Sequence, residues 1–370
     1  MSNQYLSYAG MYIDLEASED VLEGIANQVE PFFQFRNDNV GSLVLNLKVQ
    51  LTEPPEHIAK TIKTKGKEVV VDTSLYAHLA SKGSRWNIEN GYIVCIDLTN
   101  TLFHFHAKTA TVILYQQRQE HAILDAVRAI KSFFTASVEQ SGGVQLHAAA
   151  VRHEEQATII MGDMWQGKTT LLLELLSEFE VDQLSCDTTV LLASQNGQLR
   201  AYGWPSPFSV SHGTMADHQP LAPWFPKERR GIPYETLWNE GKKAILTSQN
   251  VVSAFNRRLV PSADRVSTCI FVHFAPDLPT QIQRIFEIVS LTECLRTVYL
   301  GSRDPIYHDW HGYLPTGNEL IDQNIDAVAC NLLDQCEFFE MWWAPSASSL
   351  MKRIPSLAAA HPYLREIIAD

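Results

Sequence analysis

The sequence predicts an α/β fold, α+β overall: a β-rich N-terminal domain, then a domain with a mixed sheet and flanking helices built around a glycine-containing strand-to-helix loop. Three observations carry this. Residues 44–51 alternate cleanly, with Leu45, Leu47, Val49 and Leu51 on one face and Asn46, Lys48 and Gln50 on the other, which is the period of a half-buried strand. Residues 120–134 change to three- and four-residue spacings at Leu124, Ala126, Val127, Ile130 and Phe134, the period of an amphipathic helix. An apolar run at 157–161 then feeds a loop, Gly162 to Thr170, which opens a leucine-rich helical run at 171–179. The expected division is a β-rich domain over 1–119, a connecting helix and linker over 120–143, a second domain over 144–337, and a C-terminal strand and helix over 338–370 packing on it.

Within the first segment, short apolar runs at 68–72, 92–98 and 102–115 are separated by Gly, Asn, Ser and Lys, and an antiparallel sheet is the economical interpretation. His104 and His106 share a strand face, but no third ligand stands at metal spacing, so they read as the polar side of a half-buried strand. The polar break at 139–143 marks the domain boundary. A small-residue strand over 145–151 turns at 152–156 into 158–161, the strand before the loop. Further strands are expected within 181–194, across an Asn196-Gly197 hairpin turn into 199–204, and at 266–274 and 338–343. Helices are expected at 291–300, 325–336 and 356–369. Pro205, Pro207, Pro220, Pro223 and Pro226 punctuate a loop-rich stretch that ends in the basic run Lys227 to Gly231.

The loop carries the chemistry. Met161-Gly162-Asp163-Met164-Trp165-Gln166-Gly167-Lys168-Thr169-Thr170 satisfies G-x-x-x-x-G-K-[ST] in the strand-loop-helix context that a phosphate-binding loop requires. Glycines let the backbone approach phosphates, and the amides that open the helix supply donors at the positive end of its dipole. Lys168 supplies a cation for the β and γ oxygens of a nucleoside triphosphate such as ATP, and the Thr169 hydroxyl a ligand for Mg²⁺.

Composition restricts the partners. The net charge of −13 argues against nucleic acid, whose phosphates need a basic face. No apolar stretch has the length to span a bilayer, and the N-terminus lacks the pattern of a signal peptide. The six cysteines are scattered without C-x-x-C spacing, which suggests reduced thiols and a cytoplasmic protein without a zinc site or a disulfide framework. A homo-oligomer is compatible with the sequence.

Three segments taken together narrow the class of loop. Leu146-His147-Ala148-Ala149-Ala150-Val151, the Gly162 to Thr170 loop, and Leu184-Ser185-Cys186-Asp187-Thr188-Thr189-Val190 together resemble the HPr kinase/phosphorylase superfamily. The closer likeness is to its bacterial HprK-related branch, which includes kinases of peptide biosynthetic clusters such as lasso-peptide kinases. The likeness is specific over 144–194, looser to about residue 300, and architectural over the N-terminal third. It implies a core related to phosphoenolpyruvate carboxykinase, and ATP- and Mg²⁺-dependent phosphoryl transfer to a Ser or Thr hydroxyl of a peptide or protein. It also implies His147 near the transferring phosphoryl, residues 162–170 around the phosphates, and Asp187 as base or, with Thr169, as metal ligand.

The sequence departs from the family pattern at three places. Cys186 stands at the first of two adjacent aspartates. Trp165 stands at the middle glycine of the loop, where its side chain disfavours positive φ. The family E-x-R-G motif is matched only by Glu228-Arg229-Arg230-Gly231, at longer spacing, which with Lys227, Lys242 and Lys243 forms a candidate groove for an acceptor or phosphate. Each residue has a plainer reading: Asp187 as a strand-start residue bonding nearby amides, His147 as a core histidine, Cys186 as a small buried side chain, and the basic cluster as solvated surface. Two other functions therefore stand beside the kinase: a nucleotide-binding regulatory or structural module that has lost transfer chemistry, and a kinase for small-molecule hydroxyls.

Overall fold

The computed structural model describes residues 2–72, 81–106, 108–275, 281–301, 310–311 and 317–343. The chain divides into two compact units, Met1–Gly142 with Leu300–Asp322, and Gly143–Tyr299 with Gln323–Asp370. The class is mixed α and β with several sheets. The helix expected at 356–369 lies outside the described residues.

The first unit is built on a nine-stranded sheet. Its strands are β1 (Ser2–Tyr8), β2 (Met11–Ala17), β3 (Gln34–Arg36), β4 (Ser42–Gln50), β5 (Lys67–Asp72), β6 (Ser81–Ile88), β7 (Gly91–Ile96), β8 (Thr101–His106) and β9 (Thr111–Tyr115), in spatial order β3-β1-β2-β4-β9-β8-β7-β6-β5. The sheet is mixed, which corrects the antiparallel expectation: β2 runs parallel to β4, and β4 to β9. Between β2 and β4 the helix α1 (Glu19–Val29) provides the crossover that parallel pairing requires, and β4 reaches β9 only through the strands β5 to β8. Leu45, Leu47 and Val49 are buried as the alternation predicts, whereas Leu51 lies beyond the strand end and is exposed. The run at 102–115 folds as two strands, β8 and β9, joined by a turn.

Helix α3 (Gln119–Gln140), read from the sequence as a connector, belongs to this unit and packs against α1 and the central strands. Phe133 and Phe134 of α3 are fully buried; Phe134 meets Tyr8 and Phe33, and Phe133 meets Phe105. Helix α2 (Glu56–Thr61) carries Ile58 onto the opposite face, against Ile93, Leu102 and Tyr115. Alternation in β8 places His104 and His106 on that second face, with ring centroids 3.7 Å apart.

The second unit contains a six-stranded sheet in which β11 (Ala148–His153), β12 (Gln156–Met161), β13 (Asp182–Ser185), β19 (Arg265–Phe274), β20 (Gln281–Arg284) and β21 (Glu337–Trp343) lie in the order β13-β11-β12-β19-β21-β20. A four-stranded sheet, β10 (Val144–Leu146), β14 (Thr189–Ala193), β15 (Leu199–Gly203) and β18 (Ser262–Ala263), lies against it through β15 and β19. The strands β16 (Phe208–Ser211) and β17 (Lys243–Leu246) pair as a separate ribbon.

Helix α4 (Lys168–Glu178) is set between these layers, which explains its leucine-rich sequence. Leu171, Leu172, Leu173, Leu175 and Leu176 are all buried with Ile160, Ile270 and Val272 of the large sheet and Phe208 and Val210 of the ribbon. Each fully buried leucine contributes roughly 2 kcal/mol, so packing, not local propensity, fixes the helix. The remaining helices are α5 (His212–Asp217), α6 (Tyr234–Asn239), α7 (Ser248–Ala254), α8 (Ile288–Thr297) and α9 (Asn318–Gln335). Among the described residues no helix is long and apolar enough to cross a membrane.

Candidate functional site

The site forms where two chain segments pass from one sheet to the other. Residue 147 interrupts what the sequence predicts as one strand over 145–151: β10 ends at Leu146 in the small sheet and β11 starts at Ala148 in the large one. Residues 186–188 make the same passage between β13 and β14. Leu146 pairs with Thr189 and Ala150 with Ser185, so the two passages run side by side. The hydroxyls of Ser185 and Thr189 pin them together: Thr189 Oγ1 donates to the Ala148 carbonyl at 2.9 Å and lies 2.5 Å from Ser185 Oγ. The His147 N–H leaves the ladder and donates to the Val298 carbonyl at 2.6 Å.

This frees both side chains to meet. His147 Nε2 lies 3.2 Å from Asp187 Oδ1, and Nδ1 lies 3.5 Å from Lys168 Nζ. A lysine ammonium offers only hydrogens, so Nδ1 is the acceptor and Nε2–H donates to Asp187. Lys168 Nζ also donates to the Gly162 carbonyl at 2.8 Å and the Asp163 carbonyl at 2.9 Å. Desolvation by burial pushes the Asp187 carboxyl up, but the hydrogen bond from His147 and the charges of Lys168 and Lys243 outweigh it, and its pKa is lowered overall. Burial pulls the Lys168 ammonium down to about 8, against the opposing pull of Asp187 and Asp163. The three residues that the sequence nominated for catalysis, His147, Lys168 and Asp187, therefore lie together.

The loop has the backbone that a polyphosphate cradle needs. Gly162 has φ +151, and a Cβ there would meet the Val272 carbonyl oxygen at 2.6 Å, so only glycine fits. Gly167 has φ +90 and opens α4, leaving the amides of its first turn unpaired within the helix. Asp163 Oδ1 accepts from the Met164 N–H at 2.8 Å, and Gln166 Oε1 accepts from the Phe274 N–H at 2.6 Å, tying the loop to the end of β19. Met164 is exposed. Thr169 is half-buried on the first turn of α4, whereas Thr170 is buried and its hydroxyl lies 2.9 Å from Thr214 Oγ1, an internal contact.

Trp165 differs from its expected conformation. It adopts φ +67 despite its Cβ, so the loop keeps the glycine-like shape at a cost on the order of 1 kcal/mol. The ring lies 4.1 Å below Lys243 Nζ and is 57% exposed, at the rim of the loop.

Cys186 does not face the site. Its side chain is in the core beside α4, 3.6 Å and 3.7 Å from the carbonyl oxygens of Ser206 and Pro207. Among the basic residues nominated as a groove, Lys243 comes to the loop. Glu228 and Arg229 sit on a short 3₁₀ turn, and Arg229 pairs with Glu240 at 3.1 Å, while Glu240 also holds His212 at 3.0 Å. Among the described residues no hydrogen bond or ion pair joins Glu228, Arg229 or Arg230 to the loop.

The donor set fits a triphosphate with magnesium. Open amides, a buried ammonium and a glycine-only close approach suit phosphate oxygens. Thr169 and a charged Asp187 suit a cation that keeps waters and shares phosphate ligands, as Mg²⁺ does. Sequence reasoning missed Ser185, Thr189 and the Val298 carbonyl as positioning groups; the repeated hydroxyls flanking Cys186-Asp187 were the available signal. No protein-family model matches the chain, and no curated protein sequence matches it.

Proposed function

We propose that this chain is an ATP- and Mg²⁺-dependent kinase of the HPr-kinase-like type, which transfers the γ-phosphoryl group to a Ser or Thr hydroxyl of a peptide or protein. The observation that carries the reading is the meeting of Lys168, His147 and Asp187 at the opening of α4. In this reading the amides of residues 162–170 and Lys168 bind and orient the phosphates, and magnesium held by Thr169 and Asp187 would neutralise their charge. Alternatively Asp187, kept ionised by its partners, leaves the metal to Thr169 and the phosphates and accepts the proton of the attacking hydroxyl. His147 holds Asp187 in place and donates no proton to Lys168, so the ammonium stays directed at the loop. Phosphoryl transfer asks little more of a protein than this positioning and charge balance.

One observation favours a second reading, a nucleotide-binding module without transfer. Cys186 is packed in the core, so Asp187 is the one carboxylate paired with His147 among the described residues. Purified protein with γ-labelled ATP, Mg²⁺ and peptides encoded beside its gene separates the two. The kinase reading expects label on a peptide hydroxyl, lost in Lys168→Ala and Asp187→Asn. ATP binding without transfer to any acceptor favours the module.

A further inference from the structure

The segment that leads into β17 closes over the loop in a way the phosphate cradle alone does not require. Lys243 begins β17 and pairs in register with Ser211 of β16. Ser211 Oγ lies 2.8 Å from Thr214 Oγ1, which lies 2.9 Å from Thr170 Oγ1 on the first turn of α4. This hydroxyl chain fixes the start of β17 to the phosphate-loop helix. Two residues earlier, Gly241 has φ +64, and a methyl there would meet the Trp165 ring at 3.9 Å. Lys243 Nζ then rests over that same ring, 4.1 Å from its centre.

Lys243 is an exposed residue whose ammonium is partly desolvated over the ring, which lowers its pKa, and among the described residues no carboxylate lies within ion-pair distance of it. A ring face restrains a partly solvated ammonium only weakly. Its charge nevertheless reaches the reacting end of the site, since it helps hold the Asp187 carboxyl down and disfavours charge on Lys168. Lys168 is already held by the Gly162 and Asp163 carbonyls, whereas Lys243 stands at the rim of the loop without an ion-pair partner among the described residues, so its charge is open to an incoming anion.

We infer that Lys243 is a second phosphate-binding cation of this site, stored on the Trp165 ring and selective for the terminal phosphate of a nucleoside triphosphate. The inference rests on the nucleotide reading of the loop. Lys168 is bonded inside the loop to the Gly162 and Asp163 carbonyls and serves every polyphosphate; Lys243 stands outside it, over the Trp165 ring at the rim, where the inference puts the third phosphate. Trp165 is the device that keeps it there, which gives a reason for a strained aromatic at a position suited to glycine.

The test is calorimetric titration of the full chain, in Mg²⁺, with ATP and with ADP. Lys243→Met is expected to weaken ATP about tenfold while changing ADP less than about twofold, and Lys243→Arg to keep the ATP preference. Because Lys243 is exposed, both variants are expected to retain the wild-type circular dichroism spectrum. Equal losses for ATP and ADP in Lys243→Met, or no loss for either, overturn the inference while leaving the nucleotide site intact. Wild-type protein that binds neither nucleotide overturns both.

Discussion

Cys186 and Asp187 are neighbours in the chain with opposite surroundings: the thiol is buried against the Ser206 and Pro207 carbonyls, and the carboxylate is half-exposed beside His147. The cysteine therefore marks a place where the core reaches the rim of the site. A carboxylate put there would face the two carbonyl oxygens, with the Ser248 hydroxyl, 3.8 Å from Sγ, as a donor beside it. Cys186→Asp is expected to destabilise the protein by about 3 kcal/mol in urea unfolding, without tightening Mg²⁺ binding. Unchanged stability with tighter Mg²⁺ binding would mean that the side chain faces the metal.

His147 acts through its two neighbours, and its loss should separate binding from turnover. With His147→Ala, nucleotide affinity is expected to change less than about threefold while kcat for peptide phosphorylation falls about tenfold or more. His147→Gln, which offers an N–H to Asp187, should recover part of the rate. A loss confined to KM would contradict this role.

Affinity for nucleotide should depend on pH through Lys168. Its ammonium titrates at about 8 in the folded chain against 10.5 ordinarily, because burial disfavours the charge. The folded protein thus holds fewer protons than the unfolded one between those values. Lys168 costs stability below pH 8, and that cost fades as pH rises toward 10.5. Phosphate binding runs the other way, since it needs the ammonium. Between pH 7 and pH 9.5 affinity for ATP is expected to fall about thirtyfold, and Lys168→Arg should flatten the profile. A flat wild-type profile would show that the charge is not used.

Glu174 of α4 supplies a stability test away from the loop. Burial, then Glu178 and Asp217, raise its carboxyl from 4.5 to about 7, and its side chain is 17% exposed. The folded state then holds the proton more tightly, so this contribution is complete below about pH 4.5 and is lost as pH rises through 7. Glu174→Gln should raise Tm by several degrees at pH 8 and leave it nearly unchanged at pH 5. The same difference at both pH values would rule out titration of Glu174 as its source.

The sequence was most informative where one local rule decided the structure. Alternation placed Leu45, Leu47 and Val49 inside, and the loop motif located a strand, a tight turn and a leucine-rich helix in the right order. It failed where the outcome depends on pairing between distant segments. The parallel pairing of β2 with β4 follows from a crossover helix, and that of β4 with β9 from the return of the chain through β5 to β8, not from any pattern within a strand. The break at His147 was hidden because Leu146 and Ala148 both suit a strand; only pairing with two different sheets separates them. Trp165 shows the opposite limit: a rule of conformational preference was overridden by the loop around it.

Titration with a non-hydrolysable ATP analogue and Mg²⁺, comparing wild type with Lys168→Ala, tests the central claim most directly. Saturable one-to-one binding by wild type, weakened about a hundredfold in the variant, is the expected result. No binding by wild type, or equal binding by both proteins, would contradict it.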